Sequence, residues 1–175
     1  MSLGHIGDNE PLIGIEKSTR HQHIVGRFGK YFVCNWLSRS GFEVCIVDHT
    51  GLDVIAYHPG RKQRLGITVK SRTRSFGTEA TGVNLFREAK NDRQKLLKAC
   101  QAFSCDPWIA VYVECDTYAD LFLTSLGNYD RYLRSVKAVY AWAMNKKRMK
   151  QYETDPDVKH VRIQFKAVNW WKGAV

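Results

Sequence analysis

Three β-rich runs separated by short turns constrain the fold more than any other part of the sequence. They are FEVCIV (42–47), DVIAY (53–57) and RLGITVKS (64–71), joined by the turns DHTG and HPGRKQ. In the third run Leu65, Ile67 and Val69 alternate with Thr68 and Lys70, which is the period of a half-buried strand. Turns this short join antiparallel neighbours, so we predict a three-stranded meander.

Helical patterns precede and follow the three strand runs. Apolar residues recur with helical spacing over residues 19–39 and again over about residues 84–103, and the polar side of each pattern is basic. Ser18 or Thr19 is predicted to cap the first helix and Gly41 to end it. The first helix is expected to cover one face of the meander.

Four further elements are predicted beyond the second helix. Two strands, a helix and a last strand are expected, in this order, at residues 108–114, 119–126, 128–150 and 160–168. The run at 108–114, WIAVYVE, is apolar almost throughout, which is typical of a strand buried on both faces. This mixture of helices and strands favours a mixed α/β domain of the α+β kind.

The length of the chain suits one domain with a substantial core. The sequence has 175 residues and contains no internal repeat and no linker. We therefore predict a single domain over residues 19–175, which ends in a C-terminal extension of a helix and a strand. Residues 1–18 are rich in glycine and polar side chains and are expected to form a flexible arm.

The cysteines and the apolar runs of the sequence indicate the cellular compartment in which the protein is expected. The 5 cysteines are odd in number and form no CxxC pair, which argues against a zinc site or a disulfide framework. The N-terminus lacks the basic start and apolar core of a secretory signal, and no apolar run approaches the roughly 20 residues that span a bilayer. The sequence therefore predicts a cytoplasmic location and no membrane partner.

The net charge points to a polyanionic partner. Lys and Arg number 27 against 17 Asp and Glu, which gives a formal net charge of +10. Such a surface favours nucleic acid, because basic side chains that neutralise phosphates release bound counterions. The alternative interpretation is that the charge only keeps the protein in solution.

The order helix, three-strand meander, helix, strand, strand resembles the core of the PD-(D/E)XK nuclease-like superfamily, which includes restriction endonucleases and archaeal Holliday-junction resolvases. The resemblance covers about residues 20–126 and rests on GRFGKYFVCNWLSRSGFEV, GLDVIAY and LGITVK. It implies a restriction-endonuclease-like αβββαβ core, with a central mixed β-sheet flanked by helices. By the same match Asp53 is the metal-binding aspartate, Lys70 is the catalytic lysine, and Mg²⁺ or Mn²⁺ is the cofactor of an active enzyme.

Two positions depart from the pattern of this superfamily. Thr68 stands where the acid two residues before the lysine is expected, and Lys30 stands where the first helix often carries a glutamate. Hydrolysis of a phosphodiester in this class needs a divalent cation held by carboxylates. Asp53 alone supplies one charged ligand, Thr68 offers a neutral hydroxyl, and an inward-pointing Lys30 would repel the metal.

An acid from elsewhere in the chain could replace the missing ones. Glu79 follows the third strand, and Glu88 lies in the first turns of the predicted second helix. The alternative is that both are ordinary carboxylates in contact with solvent. A second carboxylate close to Asp53 would distinguish a catalytic member of this fold from a non-catalytic one. We expect Asp53, Thr68 and Lys70 to lie together at one edge of the sheet.

Three functions are consistent with these patterns. The first is a nucleic-acid-handling, metal-dependent phosphodiesterase, an endonuclease acting on DNA in particular. The second is a catalytically inactive nuclease-fold module that binds nucleic acid or protein and that could form a homodimer. The third is a basic α/β domain unrelated to nucleases. The candidate nucleic-acid-binding residues are Arg27, Lys30, Arg72, Arg74, Arg87, Lys90 and Arg93.

Overall fold

The computed structural model describes residues 17–133 and 140–165 of the chain. The helices in these ranges are α1 (His21–Ser38), α2 (Asp92–Ala102), α3 (Leu126–Tyr132) and α4 (Lys146–Thr154). The strands are β1 (Glu43–His49), β2 (Leu52–His58), β3 (Gln63–Thr73), β4 (Val83–Phe86), β5 (Asp106–Glu114), β6 (Tyr118–Ser125), β7 (Tyr140–Trp142) and β8 (Lys159–Gln164). Within these ranges no helix combines the length and the apolar character that a membrane span needs.

A six-stranded mixed sheet forms the centre of the domain, with the strand order β1-β2-β3-β5-β6-β8. The pairs β1–β2 and β2–β3 are antiparallel and form the predicted meander. β3 and β5 pair in parallel, and β6 pairs antiparallel with both β5 and β8. The predicted fold class, a central mixed sheet flanked by helices, is therefore confirmed.

Two hydrophobic cores lie on the two faces of this sheet. Ala110 and Tyr112 of β5 belong to the core that α1 covers, whereas Ile109 and Val111 belong to the core that contains Leu96 of α2. Successive side chains of a strand point to opposite faces, so β5 contributes to both cores. This arrangement explains its nearly unbroken apolar sequence.

The predicted second helix begins later than its apolar pattern indicates. Val83–Phe86 is strand β4, which pairs with β7, and a short 3₁₀ turn at Glu88–Lys90 separates it from α2. The backbone of Asn91 has φ 51°, in the left-handed region, and an α-helix cannot continue through that conformation. The prediction of one helix over residues 84–103 is therefore wrong in its first part.

The predicted helix over residues 128–150 is also wrong. The chain there forms α3, then β7, then α4, although residues 134–139 lie outside the described part. Trp142 of β7 is buried, and its ring stacks on Tyr152 with 4.0 Å between the ring centroids. Asn145 begins α4 by accepting a hydrogen bond from the Arg148 amide. These contacts outweigh the helical spacing seen in the sequence.

The ends of the other predicted elements differ by a few residues. Arg20, not Ser18 or Thr19, precedes the first residue of α1, and its side chain makes no capping hydrogen bond. The last strand, predicted over 160–168, is observed as Lys159–Gln164, and residues 166–175 lie outside the described ranges. Residues 1–16 of the predicted arm also lie outside them. The predicted division of the chain into an arm and one domain stays a prediction.

A close contact between the β1–β2 turn and α2 generates a test of the fold. Gly51 has φ 100°, and a Cβ atom there would lie 2.6 Å from the backbone of Lys95. We expect Gly51→Ala to lower the free energy of unfolding by about 2–4 kcal/mol, because backbone strain and a steric clash add. Urea unfolding at equilibrium measures the change.

Gly77→Ala is the matched control for this substitution. Gly77 has φ 83°, but a Cβ atom there would meet nothing within 4 Å. The free energy of unfolding should fall by only about 1–2 kcal/mol, which is the cost of placing a residue with a Cβ atom in the left-handed region. Equal losses in the two variants would contradict the close packing of α2 against the turn.

Candidate functional site

The Asp53 carboxylate lies beside the second half of β3. Its Oδ2 atom accepts a hydrogen bond of 2.7 Å from the Val69 amide and one of 3.3 Å from the Thr68 hydroxyl. Asp53, Thr68 and Lys70 line one cavity of about 160 Å³. The predicted proximity of these three side chains is therefore confirmed, whereas their catalytic and metal-binding roles stay predictions.

Lys30 of α1 makes an ion pair with the same carboxylate. Its Nζ atom lies 2.7 Å from Asp53 Oδ1, and the exposed fractions of the two side chains are 36% and 21%. The neighbouring Gly29 is buried, and a Cβ atom in its place would collide with the Ser71 hydroxyl of β3. A glycine thus lets α1 lie directly on β3, and this contact brings Lys30 to Asp53.

This arrangement does not suit a divalent cation. Lys30 contacts one oxygen of Asp53, and the Val69 amide donates to the other. A Mg²⁺ site in a protein commonly uses one or two carboxylates, and their lone pairs must face the ion. No group of three or more His, Cys, Asp or Glu side chains in the described ranges could hold a metal ion. The lysine ammonium therefore neutralises the carboxylate that the family resemblance assigns to the metal.

Asp92, at the start of α2, is the second carboxylate of the cavity. Its Oδ2 atom accepts hydrogen bonds from the Arg87 amide at 3.3 Å and from Arg87 Nε at 3.2 Å. Burial acts to raise the pKa of Asp92, but the hydrogen bonds from Arg87 and the charge of Lys70 outweigh it and hold the pKa below its usual range. Asp92 is therefore ionised at neutral pH.

Lys70 lines the cavity together with the two carboxylates. Burial lowers the pKa of Lys70, and the charges of Asp53 and Asp92 oppose that shift. A partly desolvated ammonium gains more from an added anion than a fully hydrated one, because less water has to be displaced. An anion that enters the cavity would therefore interact with Lys70 in competition with Asp53 and Asp92.

Sequence reasoning missed Asp92 because it began the second helix too early. With a start at residue 84, Asp92 falls in the middle of that helix, where an acidic residue indicates neither a helix boundary nor a site. An acid in the first turn of a helix is a start signal, and the pair Asn91-Asp92 could have been taken for one. Glu79 and Glu88, the two acids proposed instead, do not line the cavity. Glu88 lies exposed in the 3₁₀ turn.

A wide basic groove adjoins the cavity. It has a volume of about 810 Å³, lies between α1 and the Val69–Arg72 segment of β3, and includes Lys70, which also lines the cavity. None of the described residues that line the groove is acidic. Its basic side chains are Arg20, His23, Arg27, Lys30, Lys70 and Arg72. We call this feature the α1–β3 groove.

Only some of the predicted nucleic-acid-binding residues line the α1–β3 groove. Arg27, Lys30 and Arg72 line it. Outside it, Arg74 donates hydrogen bonds to the carbonyls of Thr73, Thr81 and Gly82. Arg93 makes a bidentate pair with Asp130, with N–O distances of 2.8 and 2.6 Å. Arg87 pairs with Asp92, and Lys90 is exposed in the 3₁₀ turn.

Comparison with known proteins identifies a structural relative but no sequence family. No protein-family model matches the sequence, and no curated protein matches it. The fold is similar to the solved structure of Hjc, a Holliday junction resolvase from the archaeal hyperthermophile Archaeoglobus fulgidus, with a TM-score of 0.51 and 14% sequence identity. The match covers 72% of this chain and 93% of that one. The chain therefore has the nuclease-like fold that the resemblance implies, and at this identity the likeness concerns the fold alone.

The ion pair at Asp53 predicts how the site responds to divalent cations. We expect Lys30→Ala to bind Mn²⁺ more tightly than the wild type, because the substitution frees one oxygen of Asp53 and removes a positive charge from the site. Isothermal titration calorimetry measures the affinity, and we expect a gain of at least about tenfold, on the order of 1.4 kcal/mol.

Lys17→Ala is the matched control for Lys30→Ala. Lys17 also pairs with an aspartate, Asp116, at an N–O distance of 2.7 Å, and neither residue lines the cavity. Its removal should leave Mn²⁺ affinity unchanged. Equal affinity in the wild type and in both variants would count against Asp53 as a potential metal ligand.

Proposed function

We propose that this chain is a nuclease-fold domain that binds the phosphate backbone of nucleic acid, DNA in particular, in the α1–β3 groove without metal-dependent cleavage. The observation that carries the proposal is the Lys30–Asp53 ion pair at the margin of a groove whose described lining residues include no acid. The ammonium group of Lys30 occupies the position next to the Asp53 carboxylate where a catalytic cation would be needed. The anion that this surface attracts is therefore a phosphate.

The charges of the groove support backbone binding. Arg27 and Arg72 are exposed on α1 and β3, and Lys30 and Lys70 lie half-buried between them. Exposed guanidinium groups can form bidentate hydrogen bonds with phosphate oxygens, and lysine ammonium groups act as point charges. Contacts of this kind fix the position of a nucleic acid without selecting its sequence.

The same geometry argues against hydrolysis. Attack on a phosphodiester by water needs a group that activates the water, and in this class of enzyme a metal held by carboxylates supplies it. Asp53 is neutralised by Lys30, and Thr68 adds no charge. The chain can therefore hold and orient a phosphate, but Asp53 and Asp92 are both paired, and neither carboxylate is free to hold a metal that would activate the nucleophile.

Asp92 favours a second candidate function, metal-dependent phosphodiester cleavage. Asp53, Asp92, Lys70 and Lys95 line the same cavity, so the chain does carry two carboxylates beside two lysines. This function requires Lys30 to leave Asp53 and Arg87 to leave Asp92, since each carboxylate is paired. The predicted homodimer and cytoplasmic location are compatible with both candidates and remain predictions.

The proposed function is tested by the salt dependence of DNA binding. If roughly six phosphates are contacted, log K against log salt for duplex DNA should have a slope near −5. Arg72→Ala should weaken binding to every sequence and make the slope less steep by about one, because one phosphate contact is lost. Fluorescence anisotropy over a salt series measures both quantities.

Arg61→Ala is the charge-matched control for Arg72→Ala. Arg61 is exposed in the turn between β2 and β3 and does not line the groove. The variant has the same net charge as Arg72→Ala, so it should keep nearly the affinity and slope of the wild type. An equal loss in both variants would mean that net charge, and not the groove, governs binding. Binding that does not change with salt would exclude the proposal.

Plasmid nicking separates the two candidate functions. We expect no cleavage by the wild type in Mg²⁺ and none in Mn²⁺, because Lys30 neutralises Asp53. If metal-dependent cleavage is the function, the wild type should cleave and both Asp53→Asn and Asp92→Asn should abolish it. Cleavage that survives both substitutions would mean that the active site lies elsewhere.

A further inference from the structure

We infer that the nucleic acid bound in the α1–β3 groove is single-stranded, and that its bases stack on aromatic side chains on the outer face of α1. The inference rests on the proposed function and names its substrate class. Its basis is a cluster of exposed apolar side chains beside the basic groove: Ile24, Phe28 and Tyr31, with exposed fractions of 61%, 48% and 66%. Three large apolar side chains this exposed on one short helical stretch indicate a binding surface.

Helix geometry makes these residues one continuous surface. Phe28 follows Ile24 by four residues and Tyr31 follows Phe28 by three, so their side chains are neighbours on α1. Ile24 also lines the α1–β3 groove, which connects the apolar cluster to the basic side chains. Arg27 lies three residues after Ile24 and four before Tyr31, so a guanidinium group stands within the cluster.

Phe28 is held in place as a stacking platform would be. Its ring stacks on Phe32 with centroids 5.8 Å apart and packs against Tyr112 with centroids 5.6 Å apart. About half of the side chain remains exposed. A ring that is fixed on its inner side and open on its outer side loses little conformational entropy when a base stacks on it.

Single-stranded nucleic acid fits this surface better than the alternatives. A duplex keeps its bases stacked inside, where exposed rings cannot reach them, whereas every base of a single strand offers a π-face to an aromatic ring. A second copy of the chain would bring another net charge of +10 against the same arginines. The described groove residues include no acid that could offset this repulsion.

The test compares single-stranded and duplex DNA by fluorescence anisotropy at one salt concentration. The probes are a labelled oligothymidine of about 20 nucleotides and a duplex of about 20 base pairs, a length that exceeds the 4–16 nucleotides of typical single-strand sites. We expect the full chain to bind the single strand more tightly. Tyr31→Ala should weaken single-strand binding at least about fivefold and leave duplex binding unchanged, because stacking on the ring is lost. Tyr31→Phe should retain wild-type affinity.

Two further variants keep the test specific. Phe76→Ala removes a ring with the same exposed fraction as Tyr31, 66%, from a loop that does not line the groove, and it should change neither affinity. Phe28→Leu preserves much of the packing against Phe32 and Tyr112, and it should weaken single-strand binding alone. Urea unfolding checks that each variant is folded.

The possible outcomes separate this inference from the proposed function. Equal affinity for both probes, with no effect of Tyr31→Ala or Phe28→Leu, would overturn the inference and leave the groove as a general phosphate-binding surface. Binding of neither probe would overturn both proposals. A change in oligomeric state in Tyr31→Ala, measured by sedimentation, without a change in single-strand affinity would mean that the cluster is an interface between copies of the chain, and it would also overturn the inference.

Discussion

The Lys30–Asp53 ion pair determines what the rest of the site can bind. Asp53 is fixed from the sheet by the Val69 amide, and Lys30 is fixed from α1 by the close contact between Gly29 and Ser71. The pair therefore joins the helix to the sheet at the carboxylate that the family resemblance assigns to a metal. Since a metal and an ammonium group compete for the same carboxylate oxygen, the ion pair links the packing of α1 directly to the chemistry of the site.

The helix α1 is the element on which the proposed function depends, because its sides have different partners. Val25, Phe32 and Val33 are buried in the core that the helix forms with the sheet. Arg27 and Lys30 line the groove, and Phe28 and Tyr31 remain exposed. A helix that only covered a sheet would carry polar residues on its outer surface. The proposed binding of nucleic acid rests on this combination of basic side chains and exposed rings.

Sequence reasoning predicted the elements whose signals are local. The alternation in β3 and the short turns beside it predict the meander, and the meander alone brings Asp53 next to Thr68 and Lys70. The features it missed depend on contacts between distant segments. β4 is a strand because it pairs with β7 more than 50 residues away, and the entry of Asp92 into the cavity follows from where α2 begins after that strand. Apolar spacing cannot distinguish such a segment from the first turns of a helix.

The charges around Asp53 explain why the two departures from the nuclease pattern belong together. Lys30, Lys70, Lys95 and Arg87 carry four positive charges beside the two carboxylates Asp53 and Asp92, so this cluster has a net charge of +2. An acid in place of Thr68 would still leave the cluster positive while Lys30 remained paired with Asp53. A divalent cation needs carboxylate oxygens that no ammonium group occupies, so a metal site here requires the removal of Lys30 in addition to a new acid. With Lys30 in place the positive charges outnumber the carboxylates, which agrees with the proposed binding of a phosphodiester.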